Sequence, residues 1–217
     1  MSGLWHCQNL WQGQVVCILG GGPSLKEANW LRMHSLFSKF GIRTIACNDG
    51  YQLGWPDAVF FGDYRWAEIH HNLPAFQQYQ GMKIACEADC IRFPEILVLE
   101  RRPLMFRLEP HLCGWYSNTG ISAINLAVKL GAKAILLLGF DMKLKEGVSN
   151  WYTKLKDPVS AEEVYHRFLK HAAKLASDMK EVCPDTPVIN CTPDSALTVF
   201  PQMQLTSALD LIYGKRC

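Results

Sequence analysis

Short apolar runs that stop abruptly on glycine or small polar residues are what most constrains the fold of this chain. VVCIL (Val15–Leu19) runs into Gly20, Gly21, Gly22, Pro23 and Ser24. RTIAC precedes Asn48, Asp49 and Gly50, and AVFF precedes Gly62 and Asp63. AILLL leads to Gly139 and Asp141, and VINC leads to Thr192, Pro193, Asp194 and Ser195. These runs are apolar without alternation, as strands covered on both faces must be. Helix-like stretches separate them, so the pattern predicts an α/β chain with a mostly parallel sheet and helices on both faces.

The predicted strands are Val15–Leu19, Arg43–Cys47, Ala58–Phe61, Met82–Cys86, Glu95–Leu99, Ala134–Leu138 and Val188–Cys191. The predicted helices are Leu25–Lys39, Trp66–Tyr79, Thr119–Leu130 and Ser160–Val182. Arg101–Ser117 and Lys143–Asp157 are long for connections, and long ordered loops are often lids or binding loops. The second carries NWYTKLKDP, whose aromatics and lysines suit closure over an anion or, equally, a solvated surface. With 217 residues and 49% hydrophobic content the chain can bury one real core, so a single Rossmann-like domain over 1–217 is expected.

Composition narrows the partners. A net charge of +2 is too small for a nucleic-acid stripe. No apolar window reaches the roughly 18 residues that a membrane span needs. MSGLWHCQNLWQGQ lacks a basic segment followed by an apolar one, so a cytoplasmic protein is expected. The 9 cysteines are odd in number, scattered and without a CxxC pair, which favours reduced thiols over disulfides or zinc. Cys17, Cys47, Cys86 and Cys191 sit in apolar strand-like runs, where cysteine acts as a small hydrophobe.

In a parallel sheet the polar strand ends share one edge, where ligands bind beside a switch in strand order. Gly20–Gly22, Ser24, Asn48, Asp49, Gly62, Thr119, Gly120 and Asp141 are therefore the candidate nucleotide contacts. Each has a plainer alternative. The glycines serve turns, Asn48-Asp49-Gly50 suits a tight turn, and Asp63 and Asp141 suit caps or solvated loops. Ser117, Asn118 and Thr119 are good N-caps, and the free amides of a helix start also suit a phosphate or carboxylate. Asn125, inside an apolar helix, reads as a satisfied core amide. In SAEEVYHRFLKHAAKLASDMKEV, Val164, Phe168, Ala172, Leu175, Met179 and Val182 form the inward stripe, with His171 at its edge and His166 pointing away.

The segments ILGGGPSLK, ACND, FFGD, NTGISAINLAVKLGAKAILLLGFDM and INCTPDS occur in the order seen in glycosyltransferase family 42, the bacterial sialyltransferases, which the chain resembles from about Val15 to Ser195. It also resembles uncharacterised phage-encoded proteins with GGGPSL and INCTP-type segments. The glycine loop and Pro56, Asp57 and Asp63 are similar to the archaeal 6-hydroxymethylpterin pyrophosphokinase-like family. The sialyltransferase resemblance implies metal-independent transfer from a cytidine-monophosphate sugar. Backbone around Gly20–Ser24 and the Asn48 side chain would hold the nucleotide, with Thr119 and Gly120 near the donor phosphate or sugar carboxylate. The general base would be a histidine near His166. The chain departs from that family at Gly21 (asparagine there), at Gly62-Asp63 (Asn-Pro-Gly) and near Tyr116 (arginine).

The expected function is thus transfer of a sugar from a nucleotide-activated donor to an acceptor hydroxyl, without a cofactor. The base would be His166 or His171, or Asp63 if neither histidine faces the site. If the chain is phage-encoded, a hydroxylated DNA base or a surface glycan is a plausible acceptor, with the host cytoplasm as its location. A second reading is a pyrophosphokinase-like enzyme in which Asp49, Asp63 and Asp141 gather Mg²⁺ around a triphosphate, with Lys26 as a candidate phosphate contact. A third is a non-catalytic nucleotide-binding module.

Overall fold

The computed structural model describes residues 3–152 and 161–214. Its order is β1 (Val15–Leu19), α1 (Trp30–Phe40), β2 (Arg43–Cys47), β3 (Ala58–Phe61), α2 (Tyr64–His70), α3 (Pro74–Gln78), β4 (Met82–Ala85), β5 (Leu97–Val98), β6 (Glu100–Pro103), β7 (Leu112–Trp115), α4 (Thr119–Lys129), β8 (Ala134–Leu138), α5 (Ala161–Val182), β9 (Val188–Asn190) and α6 (Leu205–Tyr213). The main sheet has 7 strands in the order β5-β4-β3-β2-β1-β8-β9. Every pairing in it is parallel.

Both faces are covered, as the unbroken apolar strands require. On β1, Val16 and Ile18 pack with Ile121, Ile124, Ala172 and Leu175 of α4 and α5. Val15, Cys17 and Leu19 point the other way, to Phe37 of α1 and Ala208 and Leu209 of α6. Adjacent residues on a strand point to opposite faces, so one run feeds two cores. Val59, Phe61 and Ala85 build a third cluster with Ala67 and Phe76 under α2 and α3. This is the expected Rossmann-like α/β architecture.

Several boundaries differ from expectation. The helix predicted over Leu25–Lys39 is a 3-10 turn at Pro23–Glu27 followed by α1. The Asn29 side chain accepts the Arg32 amide (3.0 Å), so it caps α1 and ends the earlier turn. The helix predicted over Trp66–Tyr79 is two helices, because Pro74 starts α3 anew. The strand expected at Glu95–Leu99 shrinks to Leu97–Val98. Arg101–Ser117 is not a loop: β6 and β7 form a separate parallel pair within Glu100–Trp115. The helix α6 was not anticipated. Val182 is 43% exposed and does not belong to the α5 stripe, whereas Ala172, Leu175 and Met179 are buried.

Cys7, Cys17, Cys47, Cys86, Cys90, Cys113, Cys183 and Cys191 are free, while Cys217 lies outside the described residues. Burial pushes the Cys47 and Cys191 thiols up to about 12, so both stay protonated hydrophobes at neutral pH. No described helix is long and apolar enough to cross a membrane.

Candidate functional site

The chain runs β1, β2, β3, β4, β5 to one side of the sheet, then places β8 on the other side of β1. That reversal between β1 and β8 opens a crevice at the C-terminal strand edge. A cleft of about 990 Å³ lies there. It is lined after β1 by Gly20–Gly22, after β2 by Asn48, after β3 by Gly62 and Asp63, and after β8 by Asp141. Thr119 and Gly120 at the start of α4 close the ring. The strand-end residues separated by most of the sequence thus converge at one edge of the sheet.

The glycine loop does not hold open a nest of amides. Gly20 N donates to Leu138 O (2.7 Å) and Gly22 N to Gly139 O (2.8 Å). Ser24 N donates to Asp141 Oδ1 (3.0 Å) and Leu25 N to Gly22 O (3.2 Å). Of the loop amides, only that of Gly21 stands outside this set. Gly22 has φ −62°, so the loop needs no left-handed backbone there. What it needs is room: a Cβ on Gly20 or Gly22 would come 2.5 Å from the Gly139 carbonyl. A Cβ on Gly21 would meet nothing closer than the Tyr152 hydroxyl at 3.4 Å. Gly20 and Gly22 therefore let the β1 and β8 loops cross closely, and Gly21 is the glycine turned to the cleft.

Asp141 and Ser24 form the latch of that crossing. The buried carboxylate accepts the Ser24 amide on Oδ1 and the Ser24 hydroxyl on Oδ2 (2.8 Å). Burial pushes the Asp141 carboxyl above its ordinary value, and the two bonds from Ser24 oppose that shift. Ser24 is spent on this latch and does not line the cleft, contrary to its assignment as a nucleotide contact.

At α4 the Asn118 side chain caps the Ile121 amide (3.0 Å). The amides of Thr119 and Gly120, in the same first turn, have no intrahelical acceptor by helix geometry. Aligned peptide dipoles make this end of an 11-residue helix favourable for an anion. Tyr116, at the place of the sialyltransferase arginine, is fully buried and its hydroxyl donates to Asp178 (2.5 Å). It offers the cleft nothing.

Asp49 turns away from the cleft. Its oxygens accept from Gln52 Nε2 (3.1 Å) and Trp66 Nε1 (3.4 Å), and His70 lies 3.6 Å away. Thr192 and Ser195 are buried struts beneath the β8 turn. Thr192 Oγ1 accepts the Phe140 amide (2.9 Å), and Ser195 Oγ donates to Phe140 O (2.5 Å). The Asp49, Asp63 and Asp141 trio consequently does not form a ligand set for magnesium: one points out, and both oxygens of another are engaged by Ser24. Among the described residues no His, Cys, Asp or Glu group is arranged to hold a metal ion.

Neither predicted histidine lines the cleft. From α5 it is Val164, Tyr165 and Phe168 that do. His166 is exposed and stands about 100° round the helix from Tyr165. His171 is half-buried with Nδ1 3.2 Å from the Tyr116 carbonyl. Since that oxygen only accepts, the proton sits on Nδ1 and the ring braces the segment entering α4.

Asp63 does line the cleft. It caps α2, its Oδ1 accepting the Arg65 (2.8 Å) and Trp66 (3.3 Å) amides. Around it stand Glu87, Asp89, Arg101 and Trp115, none of them singled out from the sequence. Glu87 follows β4 as Asp63 follows β3, so the strand-end rule reaches it; Arg101 and Trp115 had no such signal. The cleft thus has a glycine-loop end at the β1/β8 switch, where the Asp141 carboxylate is engaged by Ser24, and a charged end beyond β3 and β4. Ser149, Asn150 and Tyr152 border the glycine-loop end. Trp151 N donates to Gly21 O (2.9 Å) and its Nε1 to Gly20 O (3.3 Å), so this segment is strapped to the glycine loop. Thr153–Asp157, the remainder of the expected binding loop, lie outside the described residues. No protein-family model matches the chain, and a search of curated proteins found no match.

Proposed function

We propose that the chain is a glycosyltransferase that moves a sugar from a nucleotide-activated donor to an acceptor hydroxyl. The observation that carries this reading is the two-ended cleft at the switch point, whose volume of about 990 Å³ accommodates a donor and an acceptor side by side. The donor's nucleotide occupies the glycine-loop end, against Gly21 and Asn48, with its phosphate at the amides of Thr119 and Gly120. The acceptor enters the charged end. Its hydroxyl oxygen forms the new bond to the anomeric carbon and its proton passes to Asp63. The bond from the anomeric carbon to the phosphate oxygen breaks, and the leaving phosphate's charge is met by the α4 amides.

A thermal-shift screen with CMP, UMP, UDP and GDP, each with and without Mg²⁺, tests the nucleotide end. A nucleotide at about one hundred times its dissociation constant adds about 2.7 kcal/mol of stability, a readily measured shift. Stabilisation without Mg²⁺, followed by nucleotide release from the matching sugar donor, is the expected result. Binding that requires Mg²⁺ would favour the pyrophosphokinase reading, and no binding by any of the four would overturn both.

A further inference from the structure

At the charged end one side chain gathers more backbone than any motif announced. Arg101, on β6, donates from Nε to Cys86 O (3.0 Å) and from one terminal nitrogen to Gly62 O and to Glu87 Oε2. Its guanidinium lies 4.6 Å from the ring centre of Trp115 on β7. Trp115 in turn sits against Gly62, where any Cβ would run into its ring.

The placement has a structural logic. The β3–β4 pairing ends at Phe61 and Ala85. Beyond it the Cys86 amide still reaches Phe61 O (3.1 Å), and then the two chains part towards α2 and the 3-10 turn at Ala88–Arg92. The carbonyls of Gly62 and Cys86 therefore fall where the sheet can no longer supply donors. A guanidinium offers several donors in one rigid plane, and the Trp115 face holds that plane still. Lysine has a single ammonium on a flexible stem and cannot span the same acceptors.

The Gly62 carbonyl and the Asp63 amide belong to one planar peptide unit. Fixing that carbonyl fixes the start of Asp63, whose Oδ1 is then held by the Arg65 and Trp66 amides. We infer that Arg101 is the positioning residue for Asp63, clamping the ends of β3 and β4 to the small β6–β7 sheet so that the Asp63 carboxylate presents its other oxygen to the acceptor. Its charge is neutralised by Glu87, so it acts through the backbone and not as an anion contact. This inference rests on the reading of Asp63 as the base.

Arg101→Met and Arg101→Lys in the full chain test it with independent readouts. Amide hydrogen exchange reads the clamp directly, CMP calorimetry reads the nucleotide end, and CMP release from CMP-N-acetylneuraminate reads turnover. In Arg101→Met, exchange at Arg65 and Trp66 is expected to rise about tenfold or more, while amides of β1 and α4 and the CMP affinity hold. Turnover is expected to fall about a hundredfold with the donor KM unchanged, the loss typical of a displaced catalytic group. Arg101→Lys, which keeps the charge, is expected to fall between and serves if the methionine variant does not fold. Unchanged exchange at Arg65 and Trp66, or CMP affinity falling in step with turnover, would overturn the assignment. A wild-type chain that binds none of CMP, UMP, UDP and GDP would sink the transferase reading alone, because the exchange measurement still decides whether Arg101 holds Asp63.

Discussion

Gly22 and Asp141 are in such close contact that a Cβ on Gly22 would fall within the van der Waals surface of the Asp141 Oδ2 oxygen. The residues are brought together because β1 and β8 are neighbours in register, Leu19 beside Leu138. The glycine loop is therefore shaped by its crossing with the β8 turn, and its composition reports that crossing before it reports a ligand.

Gly22→Val should consequently be costly to folding itself, by about 3 kcal/mol, since neither the carboxylate nor the Gly139 carbonyl can move aside cheaply. Gly21→Ala is the informative partner. It should change stability by less than about 0.5 kcal/mol, yet weaken CMP binding because the new methyl projects toward the cleft. Thermal unfolding and calorimetry on both variants check the pair. A Gly21→Ala protein that binds CMP as the wild type does would remove this loop from the nucleotide site.

The latch makes a second, less intuitive prediction. Asp141→Ala removes both acceptors of Ser24 and should cost about 1–3 kcal/mol. Asp141→Asn keeps an oxygen for the Ser24 amide, and its NH₂ donates to the Ser24 hydroxyl once that hydroxyl rotates. It also removes a buried charge. Because burial raises the folded-state carboxyl above its unfolded value, the native state takes up the proton more readily than the unfolded chain. That contribution is fully present below the unfolded value of about 3.9 and is lost as pH rises through the folded one. Asp141→Asn should thus match or exceed the wild type in Tm at pH 7, with the difference narrowing or reversing near pH 4.

How far the sequence carried depends on which side chains did the pointing. The bounds of β1, β2, β3 and β8 were readable because each is an unbroken apolar run with a polar stop. The β6–β7 pair was not, because ERRP is charged and LCGW is short, and what ties the pair to the main sheet is Arg101, whose partners lie at the ends of β3 and β4. At the site, the strand-end rule located Gly21, Asn48 and Asp63, and the helix-start signal located Thr119. It could not separate them from Ser24, Asp49, Thr192 and Ser195, which occupy equivalent sequence positions but serve the protein's own backbone and side chains. A rotation of one residue decides whether a polar group meets a ligand or a carbonyl, and no pattern of residue types records that rotation.

His70 gives a pH test away from the cleft. Its ring stacks on Trp66 at 4.0 Å and its Nδ1 lies 2.9 Å from the Tyr51 hydroxyl. Burial lowers its pKa, and the nearby Asp49 carboxylate only partly restores it. The folded state therefore resists protonation that the unfolded chain accepts near its ordinary value of about 6.5. Stability contributed by neutral His70 is complete above that value and declines as pH falls below it. Comparing wild type with His70→Gln between pH 7.5 and 5.5 should show the wild type losing more of its stability on acidification. Parallel pH profiles would mean that Asp49 balances the burial.

The choice of base is the prediction with the greatest consequence. Asp63→Asn keeps the carbonyl oxygen that caps Arg65 and Trp66, so the fold should stay intact while the acceptor-side proton has nowhere to go. Turnover with CMP-N-acetylneuraminate should drop about a hundredfold or more, with CMP affinity nearly unchanged. His166→Ala should leave both turnover and Tm close to wild type, because His166 is exposed on the side of α5 away from Tyr165 and Phe168. His171→Ala should lower Tm through loss of its bond to the Tyr116 carbonyl, by about 1 kcal/mol of stability, with turnover following only as far as α4 is disturbed. The three variants separate the alternatives in one assay. Loss of turnover in His166→Ala with Asp63→Asn fully active would return the base to α5, and would require that helix to present a different face to the bound acceptor.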